Sequence, residues 1–416
     1  MKLRASIPFY KQIEIDLTPT STIKEFKQIA CGKLGIEPDL TKCLLHGKQL
    51  AETSTVARLK AVRDPVILDY LWARQLLVWG AEGQQKIRNA TVLLAGAGAI
   101  GNEAAKNLAM LGIGRIIIVD RDRIELSNVS RMIFFQPRDL GKNKAEFLAK
   151  NLHLRYPFVT TTAYRGDLES MPLKLYLDSQ VVLCGLDNVV SRIFLTQTCR
   201  KYSIPLIDAG IIGLNGRVHS YLPPDDACPI CMFPANQYST IAGLRNPCEA
   251  PLEQENVPSF ATSISLVSSI LAQETVKVIL GLEEYKSTKK WPEKTGQPLR
   301  SILFVDLKNN RYSTMDLKRS ERCIVCGKDG TGRNLVPRND LPLPTPRTSK
   351  ATVGEAIRKT SNLGDGELTI FAETSEGTRK IDGKSPLRRA GKQGDYLRIL
   401  AEDKNQGLHE SILRLT

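Results

Sequence analysis

The sequence predicts an α/β chain built on a doubly wound parallel sheet, with a small α+β unit at either end. Three observations carry this. From residue 71 to about 335, short apolar segments alternate with helix-length segments, as in successive βαβ units. The run Gly96-Ala97-Gly98-Ala99-Ile100-Gly101 follows apolar residues 92–95 and leads into NEAAKNLAMLG, a strand turning tightly into a helix. Residues 1–70 and 345–416 each combine one helical segment with several strand candidates.

In the first unit, Lys2 to Ile7 and Gln12 to Leu17 read as strands around a turn at Pro8. A helix follows, with Ile23, Phe26, Ile29, Ala30 and Leu34 on one face. Ser21 or Thr22 suits its N-cap and Gly35 its stop. LLHGKQL turns at His46-Gly47, and VILDYL closes the unit. This element order is that of a β-grasp domain, and the segment resembles ubiquitin, GKQL included. It lacks a terminal Gly-Gly and continues into the next domain, so the expectation is an appended module and not a modifier.

In the central region, RIIIVD, VVLCGLD and PLIDAG are further strands, and the largely apolar SISLVSSILAQETVKVIL is a buried helix. Residues 236–258 are polar, Pro-containing and weakly periodic and read as a long loop, of the kind that is usually functional or mobile. After Cys326 a Gly- and Pro-containing stretch reads as a linker. TVGEAIRKTSNL (helix) and LTIFAE, TRKID and YLRILAE (strands) then make a third unit.

The 42% hydrophobic and 25% charged content is ordinary for globular chains and excludes a disordered, collagenous or disulfide-scaffold protein. A net charge of +14 favours acidic partners without choosing among them. With no run of about 18 consecutive apolar residues and no signal-peptide pattern, a cytoplasmic protein without membrane or nucleic-acid partner is expected.

The glycine run suits phosphate, because glycine admits close backbone approach and a helix start offers unpaired N–H groups. Asp120, about twenty residues on, stands where a carboxylate binds ribose. A nicotinamide or flavin enzyme fits that much. Asn128, Arg131 and Lys144 add a polar, basic set suited to the phosphates of nucleotidyl transfer. Asp187, beyond an apolar strand, offers a hard oxygen for Mg2+. Asn128 as a turn residue and Asp187 as a helix N-cap are the plainer readings of each alone. Cys228-x-x-Cys231 and Cys323-x-x-Cys326 have the spacing of two half-sites for a closed, structural zinc. Cys184 and Cys199 read as core residues.

Together, GAGAIG, VDRDRIELSNVSR, the GKNK lysine, the GLDN aspartate and the cysteine pairs resemble the adenylating enzymes of the ubiquitin-activating family, including the bacterial ThiF/MoeB type. The likeness covers about residues 71–328. It implies a Rossmann-like domain that uses ATP to adenylate the C-terminal glycine of a ubiquitin-like modifier ending in Gly-Gly. By this resemblance, Gly96, Gly98 and Gly101 line the nucleotide and Asp120 binds ribose. Asn128, Arg131 and Lys144 bind phosphates, and Asp187 holds Mg2+. Arg74, in ARQLLVWGAEGQQKIRNA, reaches the partner's ATP in a homodimer. Met132 departs from the usual Gln and is expected to alter phosphate-site packing only.

A thioester step needs a thiolate. Cys248, in loop 236–258 beside Arg245 and Glu249, is one candidate. The alternative alignment, through STIAGLRNPC, puts Ser239 at that position, where no thioester forms. The last unit resembles the ubiquitin-fold domain that recruits a conjugating enzyme, which suits a compact prokaryotic activator. A sulfur-carrier adenylyltransferase and a non-catalytic subunit of a heterodimer are the competing readings.

Overall fold

The computed structural model describes residues 1–59, 62–233, 258–341, 352–360, 367–403 and 407–416. Its chain divides into two compact units, and among the described residues it holds three sheets.

The first unit comprises Met1–Ala90, Met110–Gly114 and Ile279–Gln297. Strands β1 (Lys2–Ile7), β2 (Lys11–Asp16), β3 (Thr41–Leu45), β4 (Lys48–Gln49) and β5 (Val66–Tyr70) lie in the order β2-β1-β5-β3-β4. β1 pairs antiparallel with β2 and parallel with β5, so a crossover must connect them; helix α1 (Ile23–Leu34) lies in it. Thr22 and Glu25 form a capping box, and Gly35 ends the helix at φ 69°, a left-handed conformation that suits glycine. Ile23, Phe26, Ala30 and Leu34 are buried as their spacing predicts. Ile29 is not: it is 40% exposed, and Lys27 is buried instead, paired with Glu52. Helix α2 (Leu76–Asn89) follows the sheet. Arg88 joins them, stacking on Trp72 and donating to Glu37, which also accepts from the Tyr70 hydroxyl at 2.7 Å.

The second unit comprises Thr91–Ala109, Arg115–Val278 and Pro298–Thr416. Its main sheet is built of β6 (Thr91–Ala95), β7 (Arg115–Val119), β8 (Thr160–Tyr164), β9 (Val181–Cys184), β10 (Leu206–Ile212), β11 (Asn215–Tyr221), β12 (Ile302–Asp306) and β13 (Arg311–Met315). The order is β13-β12-β11-β10-β9-β6-β7-β8. β6 to β10 are parallel and β11 to β13 antiparallel. β6, β7 and β9 are buried almost throughout, which is why they read as unbroken apolar runs. The strand order reverses at β6: β7 and β8 are added on one side of it, β9 and β10 on the other, all of them parallel. That crevice, beyond the carboxyl ends of the strands, is where open α/β sheets bind ligands.

Helices α3 (Ala99–Leu111), α4 (Leu126–Val129), α5 (Lys144–Arg155), α6 (Leu173–Leu177) and α7 (Val189–Lys201) follow or join these strands. Helix α8 (Ala261–Thr288) averages a hydropathy of 1.4 over 18 residues, long and apolar enough by length and composition to cross a membrane. Serines, threonines and the polar group Gln273, Glu274 and Lys277 interrupt it, so it holds no run of about 18 consecutive apolar residues. Since 61% of that window is buried within the chain, it has the burial of a core helix, as its composition predicts.

The third sheet corrects the expected linker. Arg338–Leu341, inside that stretch, is strand β14 and pairs parallel with β18 (Gly407–Leu415). With β15 (Glu367–Thr374), β16 (Gly377–Ile381), β17 (Tyr396–Asp403) and helix α9 (Val353–Thr360), the order is β14-β18-β17-β15-β16. Here β17 lies between the last strand and β15, whereas in the first sheet β5 pairs directly with β3. This sheet is also fastened to its own unit. The Leu177 carbonyl accepts from Tyr396 at 3.2 Å and from Arg338 at 2.8 Å. Glu410 accepts from Tyr202 at 3.0 Å and pairs with Lys201 at 2.6 Å. Tyr396 and Ile412 share a core cluster with Leu175, Tyr176 and Leu177.

Candidate functional site

The crevice is built by the glycine loop between β6 and α3. Gly96 has φ 96° and donates its N–H to the Val119 carbonyl at 2.9 Å, tying the loop to β7. A Cβ at Gly101 would stand 2.0 Å from the Gly96 carbonyl, so only glycine lets the helix start so close to the strand. A Cβ at Gly98 would meet nothing within 4 Å. The first and third glycines therefore serve the fold, and the second faces open space.

Asp120 directly follows β7. Its Oδ2 accepts the Ala97 N–H at 2.6 Å and its Oδ1 the Asp122 N–H at 2.7 Å. Burial raises its pKa above the ordinary carboxylate value, opposed by those two backbone donors. The acid therefore shapes the loop as well as facing the crevice. Asn143 caps α5 through the Glu146 N–H and donates to the carbonyls of Asp120 and Asp122, both at 3.1 Å. Lys144, at the start of that helix, reaches Asp122 at 3.1 Å. Asn143 escaped the sequence reading; its signal is the Asn one residue before a predicted helix, a cap position.

Asn128 is buried and locally engaged. Its Oδ1 accepts the Glu125 N–H at 3.0 Å within a reciprocal cap of α4. The plainer turn reading thus describes its present hydrogen bonding. Arg131 donates to the Ser127 carbonyl at 2.6 Å. Met132 is buried, its carbonyl bonded to the Phe135 N–H.

Asp187 lies three residues beyond β9 and is exposed, and its carboxylate makes no hydrogen bond or ion pair among the described residues. The helix-cap alternative goes to its neighbour, since Asn188 caps α7 by accepting the Ser191 N–H at 2.8 Å. An exposed acid released from capping, at the carboxyl edge of the sheet, has the oxygen chemistry Mg2+ requires.

Sulfurs of Cys228, Cys231, Cys323 and Cys326 all lie within 4.8 Å of one another. Three separations are 3.8, 3.6 and 3.3 Å, near the roughly 3.8 Å edge of a tetrahedron with Zn–S bonds of about 2.3 Å. Ninety-five residues of separation are closed by the fold, so the set fits a four-coordinate soft metal. The Ser320 N–H approaches Cys231 Sγ at 3.5 Å, and Arg319 donates twice to the Cys326 carbonyl. Cys184 and Cys199 are fully buried in the core, as read. Arg74 is exposed in the first unit. Cys248, Ser239, Arg245 and Glu249 lie outside the described residues.

The model of the ThiF family matches residues 72–325. The chain is 28% identical over 269 residues to the adenylyltransferase and sulfurtransferase MOCS3 of Caenorhabditis briggsae, covering 62% of this chain and 60% of that protein. It is 28% identical over 270 residues to the sulfur carrier protein adenylyltransferase of Thermus thermophilus, covering 62% and 89%. To ubiquitin-activating enzyme E1 1 of Schizosaccharomyces pombe it is 31% identical over 247 residues, covering 52% and 24%. The chain thus spans less than two thirds of the first and about a quarter of the last.

Proposed function

The chain belongs to the ThiF family, and from that premise we propose that it adenylates the C-terminal carboxylate of a ubiquitin-like or sulfur-carrier protein with ATP. A carboxylate is a poor electrophile. Attack of its oxygen on the α-phosphorus of ATP breaks the bond to pyrophosphate and leaves an acyl adenylate, a mixed anhydride that a nucleophile opens with loss of AMP. The observation that carries this reading is the coupling of Asp120 to the glycine loop within a family-matched domain.

In this reading the loop at Gly98 gives the phosphates room, and Asp120 takes the ribose. Arg131 and Lys144 leave their present oxygen partners for phosphate charge, and Asn128 contributes a polar edge. Arg74 of a second copy completes the site in a homodimer. Asp187 would hold Mg2+, which supplies charge neutralisation at the phosphates when bound. The four cysteines would hold zinc, and with four thiolates leaving no open position its role would be structural.

The finer proposal is a modifier-activating enzyme in which the Cys248 thiolate displaces AMP to form a thioester. The acyl group then passes to a conjugating enzyme docked on residues 345–416. Domains 1–70 and 345–416 would be β-grasp modules flanking the adenylation domain 71–335; the sheet order β2-β1-β5-β3-β4 supports this for the first. The second reading, adenylation without a thioester, is favoured by the 89% coverage of the sulfur-carrier enzyme against 24% of the ubiquitin-activating one.

A non-reducing gel with MgATP and a Gly-Gly-ended ubiquitin-like protein separates the two. An adduct lost with dithiothreitol and in Cys248→Ala supports the thioester enzyme. Pyrophosphate exchange without an adduct supports the sulfur-carrier reading. Absence of both defeats the proposal and leaves a non-catalytic subunit.

A further inference from the structure

Beneath the Asp187 loop lies a buried charge cluster that no part of the proposed chemistry uses. Asp208, on β10, is fully buried and pairs through its two oxygens with Arg192 on α7 and Arg217 on β11. Arg192 is itself buried, and it also donates to the Leu186 carbonyl and, at 3.4 Å, to that of Ala209. One guanidinium thus bonds the loop after β9 and strand β10 together. Only arginine has a planar set of donors able to hold a carboxylate and two carbonyls at once.

The loop is pinned on both sides of Asp187. Leu186 is held by Arg192, and Asn188 by the Ser191 N–H at 2.8 Å. Between two fixed residues, Asp187 keeps an exposed carboxylate with no partner of its own among the described residues. The buried trio carries two positive charges and one negative, and Arg192 and Asp187 feel one another electrostatically. A ligand held between two anchors loses little entropy on binding a cation.

We propose that Arg192 is a positioning residue that holds Asp187 in place for Mg2+. It rests on the assignment of Asp187 as the Mg2+ ligand. Such outer-shell partners are worth about 10- to 100-fold in metal affinity.

The test uses the full-length chain and ATP binding by calorimetry, once with Mg2+ and once with EDTA; the readout is the ratio of the two affinities. Asp187→Ala is expected to remove the enhancement by Mg2+. Arg192→Met is expected to lower it about tenfold while the affinity in EDTA stays within about twofold of wild type. Arg192→Lys keeps the charge but not the fork, and is expected to lower it as well. A purely structural role would weaken both affinities in parallel. A wild-type ratio or a parallel loss in the arginine variants, with the ratio lost in Asp187→Ala, overturns the role of Arg192 alone. A wild-type ratio in Asp187→Ala overturns the Asp187 assignment and this inference with it. Should Arg192→Met not melt cooperatively, Arg192→Lys carries the same comparison.

Discussion

Asp120 Oδ2 accepts the Ala97 N–H at 2.6 Å, so the acid after one strand holds the glycine loop that follows its neighbour. One side chain thereby sets the loop shape and keeps a carboxylate at the crevice. Replacing it with alanine leaves the Ala97 and Asp122 amides without that acceptor. Asp120→Ala is expected to cost about 1–3 kcal/mol of stability and at least about tenfold in ATP affinity. Denaturant titration and calorimetry check this; wild-type nucleotide affinity in the variant would remove Asp120 from the binding site.

The glycines separate folding from binding. Gly101→Ala would force a Cβ to 2.0 Å from the Gly96 carbonyl, so a drop of several degrees in Tm is expected. Gly98→Ala meets no atom within 4 Å, so its Tm should match wild type. Loss of ATP affinity in Gly98→Ala, with Tm intact, is expected if the open side of the loop receives phosphate. Unchanged affinity would place the phosphates elsewhere.

The four sulfurs predict one zinc per chain by elemental analysis. Its removal with a strong chelator should lower Tm, and Cys323→Ser should do the same without chelator. Because Cys228 and Cys323 stand ninety-five residues apart, a bound metal would close a long loop, and its loss would be felt in folding. Full stability after complete metal removal would make the cluster a reduced cysteine core.

His219 predicts an acid limb to stability. It is 1% exposed, and burial, reinforced by the Arg217 charge, depresses its pKa from 6.5 to about 4. The unfolded chain protonates this ring at a higher pH than the folded chain. Stability is therefore complete above 6.5 and falls as pH drops toward about 4, by about 3 kcal/mol from this group. Unfolding free energies of wild type and His219→Gln between pH 7 and 4 test it; equal slopes would assign the acid loss to other groups.

Much was legible in the residues because the signals are local. The cap at Thr22, the stop at Gly35, the strand-to-helix glycine run and the unbroken apolar strands all act within a few residues. The four-cysteine cluster was legible too, since paired spacing announces two half-sites before the fold brings them together. Ile29 was misread because periodicity locates a face without saying how wide the buried stripe is, and here Lys27 takes the inner place. β14 was missed because four residues between glycines and prolines carry little pattern of their own; they become a strand by pairing with β18.

The sequence by itself determined the doubly wound domain, the nucleotide crevice and the family, because those rest on short-range geometry and on chemically distinctive residue types. Only the tertiary structure decided that Asn188, and not Asp187, caps α7, and that Asp120 braces the glycine loop. It also decided that Asp208 gathers two arginines beneath Asp187, and that Tyr396 and Glu410 fasten the last sheet to its own unit. Apart from the Asn188 cap, which is local, these pairings join residues of different elements. They are set by the strand order that brings those residues together, which no local pattern of side chains records.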